Sequence, residues 1–485
     1  MGANEFSGHV VEPEKQVPIV YDVDVAVIGA GIAGLFAALA AGNQGVKTLL
    51  IDRFGSLGGN IGPAMIALGS LYGEADVTLV GGLSGLPKTL IDRLETMRGA
   101  PAPNYADETN LVSYLGVKMA EEYGVELLLA VWAADPIIEG DQVIGLFVEG
   151  KSGRVAVKAK VVVDASADVD IARRAGVPVI AGSPPDPSYA PLIRPQYRRS
   201  EYRVWNDTAL FYLTTGIDFE AYDAFTTSQV TLSETDQEWL RQYRNLGGFP
   251  PPLLPKLRQA WESGEFQHAK DIEPRVHIES VAIGRFGDRL GRSYINARGE
   301  IRREDMKQHS RLEASVRVQA YETVQFYRNH VPGFEGAYLL FIAPYFGARG
   351  GPCIDAEQTI TPGEAYTGQR FGDVMFRNIH EGQQMHGGEK SGFDVPYRMI
   401  LPKGLDGLLV TGRGSGYIRR GHDPTGMRAR PAIMVLGEAT GIAAALAAKM
   451  GVTPRTLDVK ALQREMLQQG AFLGDEARLT ELGLR

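Results

Sequence analysis

The sequence predicts an α/β fold: parallel strands joined by helices, with a mixed α+β segment inserted between the two ends of that layer. Three observations predict it. Residues 23–28 (VDVAVI) are a mostly apolar, β-branched run of buried-strand character, and the Ala/Leu-rich stretch Ile32–Gly42 behind them has helical character. A second strand-like run, Val46–Ile51, completes a βαβ unit and is followed directly by Asp52. Far downstream, Leu408–Thr411 reads as another strand, and Pro431–Met450 as a long apolar helix with proline in its first turn. The 485 residues suffice for two or three domains. The 58 glycines exceed the average share of about 7%, which suits a chain with many tight strand–helix turns.

Glycines 29, 31 and 34 stand in G-x-G-x-x-G spacing between the first strand and its helix. Gly29 permits the tight turn, Gly31 lets the backbone approach a pyrophosphate, and Gly34 lets helix and strand pack closely. The helix N-terminus then offers unpaired N–H groups and a positive dipole end to phosphates. Asp52 lies where a carboxylate can accept hydrogen bonds from a ribose diol, and its charge disfavours a 2′-phosphate. A glycine-rich helix–sheet contact without a ligand would explain the glycines but not the acid. The unit therefore predicts a Rossmann-like dinucleotide-binding domain.

Asp52 is followed by Arg53-Phe54-Gly55-Ser56-Leu57-Gly58-Gly59-Asn60. This stretch resembles the glutathione-reductase-type FAD flavoproteins, whose signature adds a basic residue after the ribose acid and a Gly-Gly pair a few residues on. The resemblance implies FAD as cofactor, held along Gly29, Gly31, Ala33, Gly34, Asp52, Arg53, Gly58, Gly59 and Asn60. Gly124–Ala130 resembles the third strand of that family. Lys160–Gly176 resembles its A-T-G-type element, which brings Ala165 to the cofactor. The C-terminal block LLVTGR (408–413), His422, Arg428, GEATGIAAALAAK (437–449) and the trailer 453–473 are more specific. With 313–339 and 346–365, they resemble the FAD-dependent oxidoreductases related to the flavin subunit of heterodisulfide reductase, and more distantly the fumarate reductase flavoproteins. This implies further cofactor contacts at Gly412, Arg413 and Gly437, and a last helix whose N-terminus points at the flavin pyrimidine ring. One departure is plain. Where family members carry an R-E-[ST]-R-like sequence, this chain has Arg349-Gly350-Gly351-Pro352-Cys353, so only the first arginine of a two-arginine anion clamp is present.

With FAD doing the redox chemistry, the protein must position a substrate and manage protons. His422, in a Gly/Pro-rich loop just before the last helix, is the first candidate for the proton-handling group; a structural loop histidine is the alternative. Arg428, ahead of the same helix, could bind a substrate carboxylate or hold the cofactor or the loop. Arg349 lies in a glycine-rich loop whose family counterparts line the substrate side. Tyr417 and His386 are weaker candidates, and Cys353 is considered for a covalent flavin link against the alternative of a small buried residue. No H-x-x-H or H-E-x-x-H spacing occurs, so no catalytic metal is expected.

Composition narrows the classes further. A formal charge of −8, 22% charged residues and no basic run argue against a nucleic-acid partner. One cysteine excludes an all-cysteine iron–sulfur centre and an internal redox disulfide built from this chain alone. The N-terminal segment shows no basic start with an apolar core, and glycines interrupt the apolar stretch at 23–42, so a cytoplasmic location without a membrane span is expected. No second G-x-G-x-x-G is present, which favours oxidase or dehydrogenase action over pyridine-nucleotide reduction. The expected organisation is an FAD-binding domain in two parts (20–178 and 396–452), a substrate or cap domain (179–395), and a C-terminal helical tail (453–485) that could support a homodimer contact. The Pro/Arg-rich residues 183–200 read as the linker leaving the first part, with strands at Val276–Ile283 and Tyr338–Ala343 and a helix over Arg302–His330 in the inserted domain. The expected partners are a small-molecule substrate and an electron acceptor: oxygen, a quinone or a protein.

Overall fold

Apolar runs set the order of elements. In the computed structural model, which describes residues 8–66, 79–98, 105–180, 208–242, 249–266, 281–286, 288–297, 301, 303–348, 350–379, 392–418 and 429–485, strand β1 (Ile19–Ile28) leads through α1 (Ile32–Asn43) to β2 (Thr48–Asp52). Helices α2 (Gly85–Arg98) and α3 (Tyr105–Glu122) precede β3 (Val125–Leu129). A meander of β4 (Trp132–Glu139), β5 (Gln142–Gly150) and β6 (Gly153–Asp164) follows, then the short α4 (Asp170–Arg174) and β7 (Val179–Ile180). A second layer holds β8 (Thr208–Thr215), α5 (Phe219–Thr226), α6 (Glu234–Gln242), α7 (Leu253–Ser263), β9 (Gly284–Phe286), β10 (Leu290–Ala297), α8 (Met306–His330), β11 (Tyr338–Ile342) and β12 (Gly347–Ala348). The chain returns through β13 (Cys353–Ile354), α9 (Pro362–Thr367), β14 (Val374–Asn378), β15 (Phe393–Pro396), β16 (Leu408–Val410) and α10 (Arg430–Met450), and ends in α11 (Val459–Gln468) and α12 (Glu476–Glu481).

The seven-stranded sheet runs β3-β2-β1-β6-β5-β4, with β16 beside β6. Strands β3, β2, β1, β6 and β16 are parallel, while β4, β5 and β6 are antiparallel. Strand β6 serves two neighbours along one edge: residues 153–158 pair with β5, and Val162–Asp164 take β16. The C-terminal part of the chain thereby enters the sheet next to the glycine turn. Val25, Ala26 and Val27 are buried, as expected for a parallel strand covered on both faces. The meander at 132–150 was not legible as separate strands in the sequence.

The second layer is an antiparallel sheet, β11-β8-β10-β9, with β12 also on β8. In β10 every second residue is buried, the period of a sheet with one core face. Helix α8 packs against it through Leu312, Val316, Ala320 and Tyr327. This helix starts at Met306, later than the sequence pattern suggests, because Asp305 accepts hydrogen bonds from the Lys307 and Gln308 N–H groups and so caps it. The expected strand at 276–283 falls mostly outside the described residues, and the strand nearby begins only at Gly284; the linker 183–200 also lies outside them. Side chains of the second core lie between Leu210 and Phe346, and from Ile354 onward the chain is again in the cores of the first layer. The return thus precedes residue 396, where the sequence placed it.

The tail packs on its own chain. Leu462, Met466, Leu473, Leu479 and Leu482 are buried in the first core, and Gln463 donates to the carbonyls of Gly372 (2.9 Å) and Val374 (3.1 Å). The leucines that suggested a dimer contact are therefore accounted for within one chain. Among the described residues one helix, α10, is long and apolar enough to cross a membrane, and 94% of its apolar window is buried inside the protein as a core helix.

Helix α10 carries one buried acid. Glu438 accepts a hydrogen bond from the Leu86 N–H at 2.7 Å, in the first turn of α2. Burial pushes its pKa up to about 8, against a pull downward from that N–H. The native state therefore holds a proton that the unfolded chain releases above about pH 4.5. This contribution is fully present below that pH and is lost as pH rises towards 8. Gln keeps the acceptor and cannot ionise. We expect Glu438→Gln to match the parent near pH 4.5 and to exceed it by roughly 1–3 kcal/mol at pH 8. Urea melts at the two pH values check this, and parallel pH profiles for both proteins would refute it.

Candidate functional site

The C-terminal ends of β1, β2 and β6 open onto a cavity of about 1140 Å³, the location where open α/β sheets bind ligands. Its floor is the glycine turn, where the three glycines have three different reasons. Gly29 has φ +96°, and a Cβ there would lie 2.5 Å from the Ala165 carbonyl oxygen. A Cβ on Gly34 would lie 1.8 Å from the Gly29 carbonyl oxygen, so Gly34 serves the helix–strand contact and does not line the cavity. A Cβ on Gly31 would meet no protein atom within 4 Å and would project into the cavity. That open position is what the close approach of a pyrophosphate needs. Gly58 donates its N–H to the Ala30 carbonyl at 2.8 Å and bridges Gly31, and a Cβ on Gly59 (φ +54°) would lie 2.8 Å from the Gly31 Cα. The Gly-Gly pair thus packs directly on the cradle.

Asp52 holds the turn from the end of β2. One carboxylate oxygen accepts from the Ala30 N–H at 2.5 Å and the other from the Phe54 N–H at 2.7 Å. Burial raises its pKa, with these two N–H groups and Arg53 pulling the other way. Each oxygen keeps a lone pair for a ribose hydroxyl. The Arg53 guanidinium lies over the rings of Tyr345 (4.4 Å), Phe54 (4.9 Å) and Trp132 (5.2 Å), so this end of the cavity is a cationic, aromatic wall.

The other end is built by Asn60, Ile61, Ile66, Ala348, Ile379, Gly412, Arg413, Ala429, Arg430 and Ile433. Asn60 donates to the Ala348 carbonyl at 2.6 Å, and Arg413 donates to the carbonyls of Ala348 (2.8 Å) and Gly350, which ties β12 to the turn after β16. Burial lowers the Arg413 pKa to about 10 against the pull of Asp168, which leaves it charged at neutral pH. Arg430 donates to the Ile66 carbonyl at 2.8 Å in the first turn of α10. The N-terminus of this 21-residue helix therefore faces the cavity with its positive dipole end.

Of the residues singled out from the sequence, Gly29, Gly31, Ala33, Asp52, Arg53, Gly58, Gly59, Asn60, Ala165, Gly412 and Arg413 line this one cavity. Gly437 does not. Its Cβ position lies 2.2 Å from the Ala33 carbonyl oxygen, so it is glycine for the contact of α10 with α1. Tyr417 is corrected as a substrate-facing candidate: its side chain is fully buried, 6.3 Å from the Phe393 ring, away from the cavity wall. Cys353 is likewise a buried strand residue, in β13 paired with β7. His422, Arg428, Arg349 and His386 lie outside the described residues.

Sequence reasoning missed Trp132, Asp168, Asp170, Arg303, His309 and Tyr345, all on the cavity wall. Four guanidiniums act on Asp168. Burial would raise its pKa, but the guanidiniums of Arg303 (3.2 Å), Arg413 (3.9 Å), Arg53 and Arg173 outweigh burial and hold it low. Asp170, beside it, is pushed up to about 6 by burial and by the Asp168 and Asp164 carboxylates. The only sequence signal for Asp168 was its place in the turn after β6. Arg303, His309 and Tyr345 belong to the second layer and carry no local motif.

A family model described as FAD dependent oxidoreductase matches residues 24–466. Thiamine thiazole synthase of Methanococcus vannielii is 27% identical over 153 residues, a match covering 30% of this chain and 56% of that protein; the chain thus spans about half the length of the curated relative. Among solved structures, a geranylgeranyl bacteriochlorophyll reductase-like protein from Thermoplasma acidophilum aligns with 15% identity and a TM-score of 0.38, covering 92% of this chain and 83% of that one. The p-nitrophenol 4-monooxygenase PnpA from Pseudomonas putida aligns with 12% identity and a TM-score of 0.40, covering 96% and 93%. With the family model spanning both ends of the cavity, the chain belongs to the FAD-dependent oxidoreductases, and it is a flavoenzyme whose cofactor is FAD.

Proposed function

We propose that this protein is an oxidase or dehydrogenase that takes a hydride from a small polar organic substrate and passes the electrons to oxygen, a quinone or a protein partner. Within its family we place it with the glutathione-reductase-type flavoproteins related to the flavin subunit of heterodisulfide reductase. The observation that carries the reading is the asymmetry of the cavity. One end is the glycine turn with Asp52, suited to a nucleotide; the other joins an apolar wall (Ile66, Ile379, Ile433) to a helix N-terminus and Arg430.

Gly31, Gly58, Gly59 and the N-terminus of α1, with Arg413, would hold the diphosphate of FAD, Asp52 its ribose, and Asn60 and Gly412 the part towards α10. Bound FAD supplies two-electron chemistry by accepting a hydride. The chain supplies the rest. The α10 dipole and the Arg430 guanidinium favour negative charge developing at that end of the cavity. Ile66, Ile379 and Ile433 exclude water there, which strengthens those interactions. His422 stays the proposed proton acceptor and Arg428 and Arg349 the proposed substrate cations, on their sequence positions.

The test is anaerobic addition of small alcohols, amines and 2-hydroxy or 2-amino acids to the holoprotein. Loss of the flavin absorbance near 450 nm, restored by air or a quinone, is expected with at least one class. If none bleaches it, yet chemically reduced protein is reoxidised by an activated alkene, the chain is an alkene reductase and the proposal fails. If neither occurs, FAD has a structural role in a larger assembly and the proposal fails as well.

A further inference from the structure

Two buried polar atoms on the cavity wall have no hydrogen-bond partner: Asp168 Oδ1 and Arg303 Nε. The Arg303 side chain is 5% exposed. Its Nη1 lies 3.2 Å from the other Asp168 oxygen, Oδ2, while Arg413 Nη2 lies 3.9 Å from Oδ1. Asp168 comes from the turn after β6, Arg303 from the second layer just before α8, and Arg413 from the turn after β16. One carboxylate thus gathers two guanidiniums from distant parts of the chain. Leaving a guanidinium N–H buried without an acceptor is costly, which points to a ligand that supplies acceptor oxygens to Arg303; Asp168 Oδ1 needs no donor from that ligand, because it faces the Arg413 guanidinium.

The cluster sits beside the phosphate cradle. A Cβ on Gly29 would lie 2.5 Å from the Ala165 carbonyl oxygen and 3.1 Å from the Ser166 Cα, so the glycine turn touches the loop that carries Asp168. That loop is rigid. Asp164 accepts from the Ser166 N–H (2.9 Å), the Ser166 hydroxyl (2.6 Å), and the N–H groups of Ile171 (3.0 Å) and Ala172 (2.9 Å). Arg173 donates to the Asp168 carbonyl at 2.6 Å. Tyr345 and Phe346 lie under the Arg303 guanidinium at 5.4 and 5.7 Å. The group is held on two sides by aromatic rings and a carboxylate before any ligand arrives.

We infer that Asp168 is a positioning residue that presents Arg303, from the inserted layer, and Arg413 to the diphosphate of FAD. The inserted layer then does more than cover a substrate: it contributes a cation to cofactor retention. The inference rests on FAD occupying the glycine cradle, and its test is chosen to separate the two.

The experiment measures binding of ADP and of adenosine to the apoprotein by calorimetry, with FAD binding followed by quenching of flavin fluorescence. Arg303→Gln should weaken ADP and FAD by about tenfold or more and leave adenosine within about twofold, the effect of losing one charge-assisted contact to phosphate. Equal losses for ADP and adenosine would place Arg303 on the nucleoside and overturn the inference, as would no loss for either. Asp168→Asn is the sharper variant. Removing a negative charge beside an anion site would by itself tighten ADP, whereas loss of the group that aims two arginines weakens it. Tighter ADP binding in Asp168→Asn overturns the inference. Where Arg303→Gln fails to fold, Arg303→Lys, which keeps the charge and loses the fork, is read in the same way, with ADP weakened and adenosine unchanged as the expected result. If parent apoprotein binds neither ADP nor FAD, the cradle assignment itself fails, a result distinct from those above.

Discussion

Gly31→Val should give a folded protein that does not bind FAD. The backbone at Gly31 has φ −63° and ψ 174°, a conformation open to any L-residue, so no strain arises there. Its Cβ position meets no protein atom within 4 Å, so the apoprotein accommodates the added methyls. Those methyls instead enter the space that the diphosphate needs, between the α1 N-terminus and Gly58-Gly59. We expect the thermal midpoint of the apoprotein to move by no more than a few degrees and FAD affinity to fall by at least about a thousandfold, equivalent to about 4 kcal/mol. The absorption spectrum of the purified variant, with and without added FAD, is the measurement. Retained flavin would remove the phosphate-cradle assignment. Gly34→Ala makes the complementary control: its Cβ falls 1.8 Å from the Gly29 carbonyl oxygen, so the loss there is of the fold before it is of the ligand.

These two glycines also show how much was legible in the sequence. The glycine turn and the acid at the end of β2 are local features of one βαβ unit, so their spacing marks them in the sequence, and the Gly58-Gly59 pair just beyond it was marked by a family resemblance; the structure brings all of them to one cavity. Helix α10 and strand β16 were legible as elements because their apolar pattern is long or flanked by turn signals. What spacing cannot reveal is which far segment closes over the unit. Arg303 and Tyr345 reach the cavity only because the antiparallel sheet around β8 packs where it does, and the sequence before α8 has no motif that marks it. Gly437 shows the opposite failure. It stands in a stretch that resembles a family block, and a glycine there suggested cofactor contact, yet its missing side chain makes room for the Ala33 carbonyl. Tyr417 erred in the same direction, since an aromatic residue in a glycine-rich loop was as well suited to the core as to a site. The meander at 132–150 was missed because its strands carry charged and exposed positions that dilute the period-2 pattern.

The second large effect is expected at Gly441. Cβ positions at 437 and 441 fall 2.2 and 2.0 Å from the carbonyl oxygens of Ala33 and Ala37, one helical turn apart on α1. The two helices therefore meet backbone to backbone along two turns, and neither carbonyl can move without breaking α1. The N-terminus of α1 and that of α10, with Arg430, both line the cavity, so this contact sets the spacing between its two ends. Gly441→Ala adds one methyl group where there is no room. The helices must part by an ångström or more, and Ala443, Ala444 and Ala448, fully or nearly fully buried on α10, lose their packing. We expect a loss of roughly 2–4 kcal/mol in urea unfolding, at the upper end of what overpacking costs. The response to FAD separates this variant from Gly31→Val. In Gly441→Ala the cradle is displaced but present, so excess FAD raises the melting temperature by mass action. In Gly31→Val no concentration of FAD does so. An unchanged melt for Gly441→Ala would show that α10 does not bear on α1 as closely as these glycines imply, and the coupling of the two cavity ends through that contact would be lost with it.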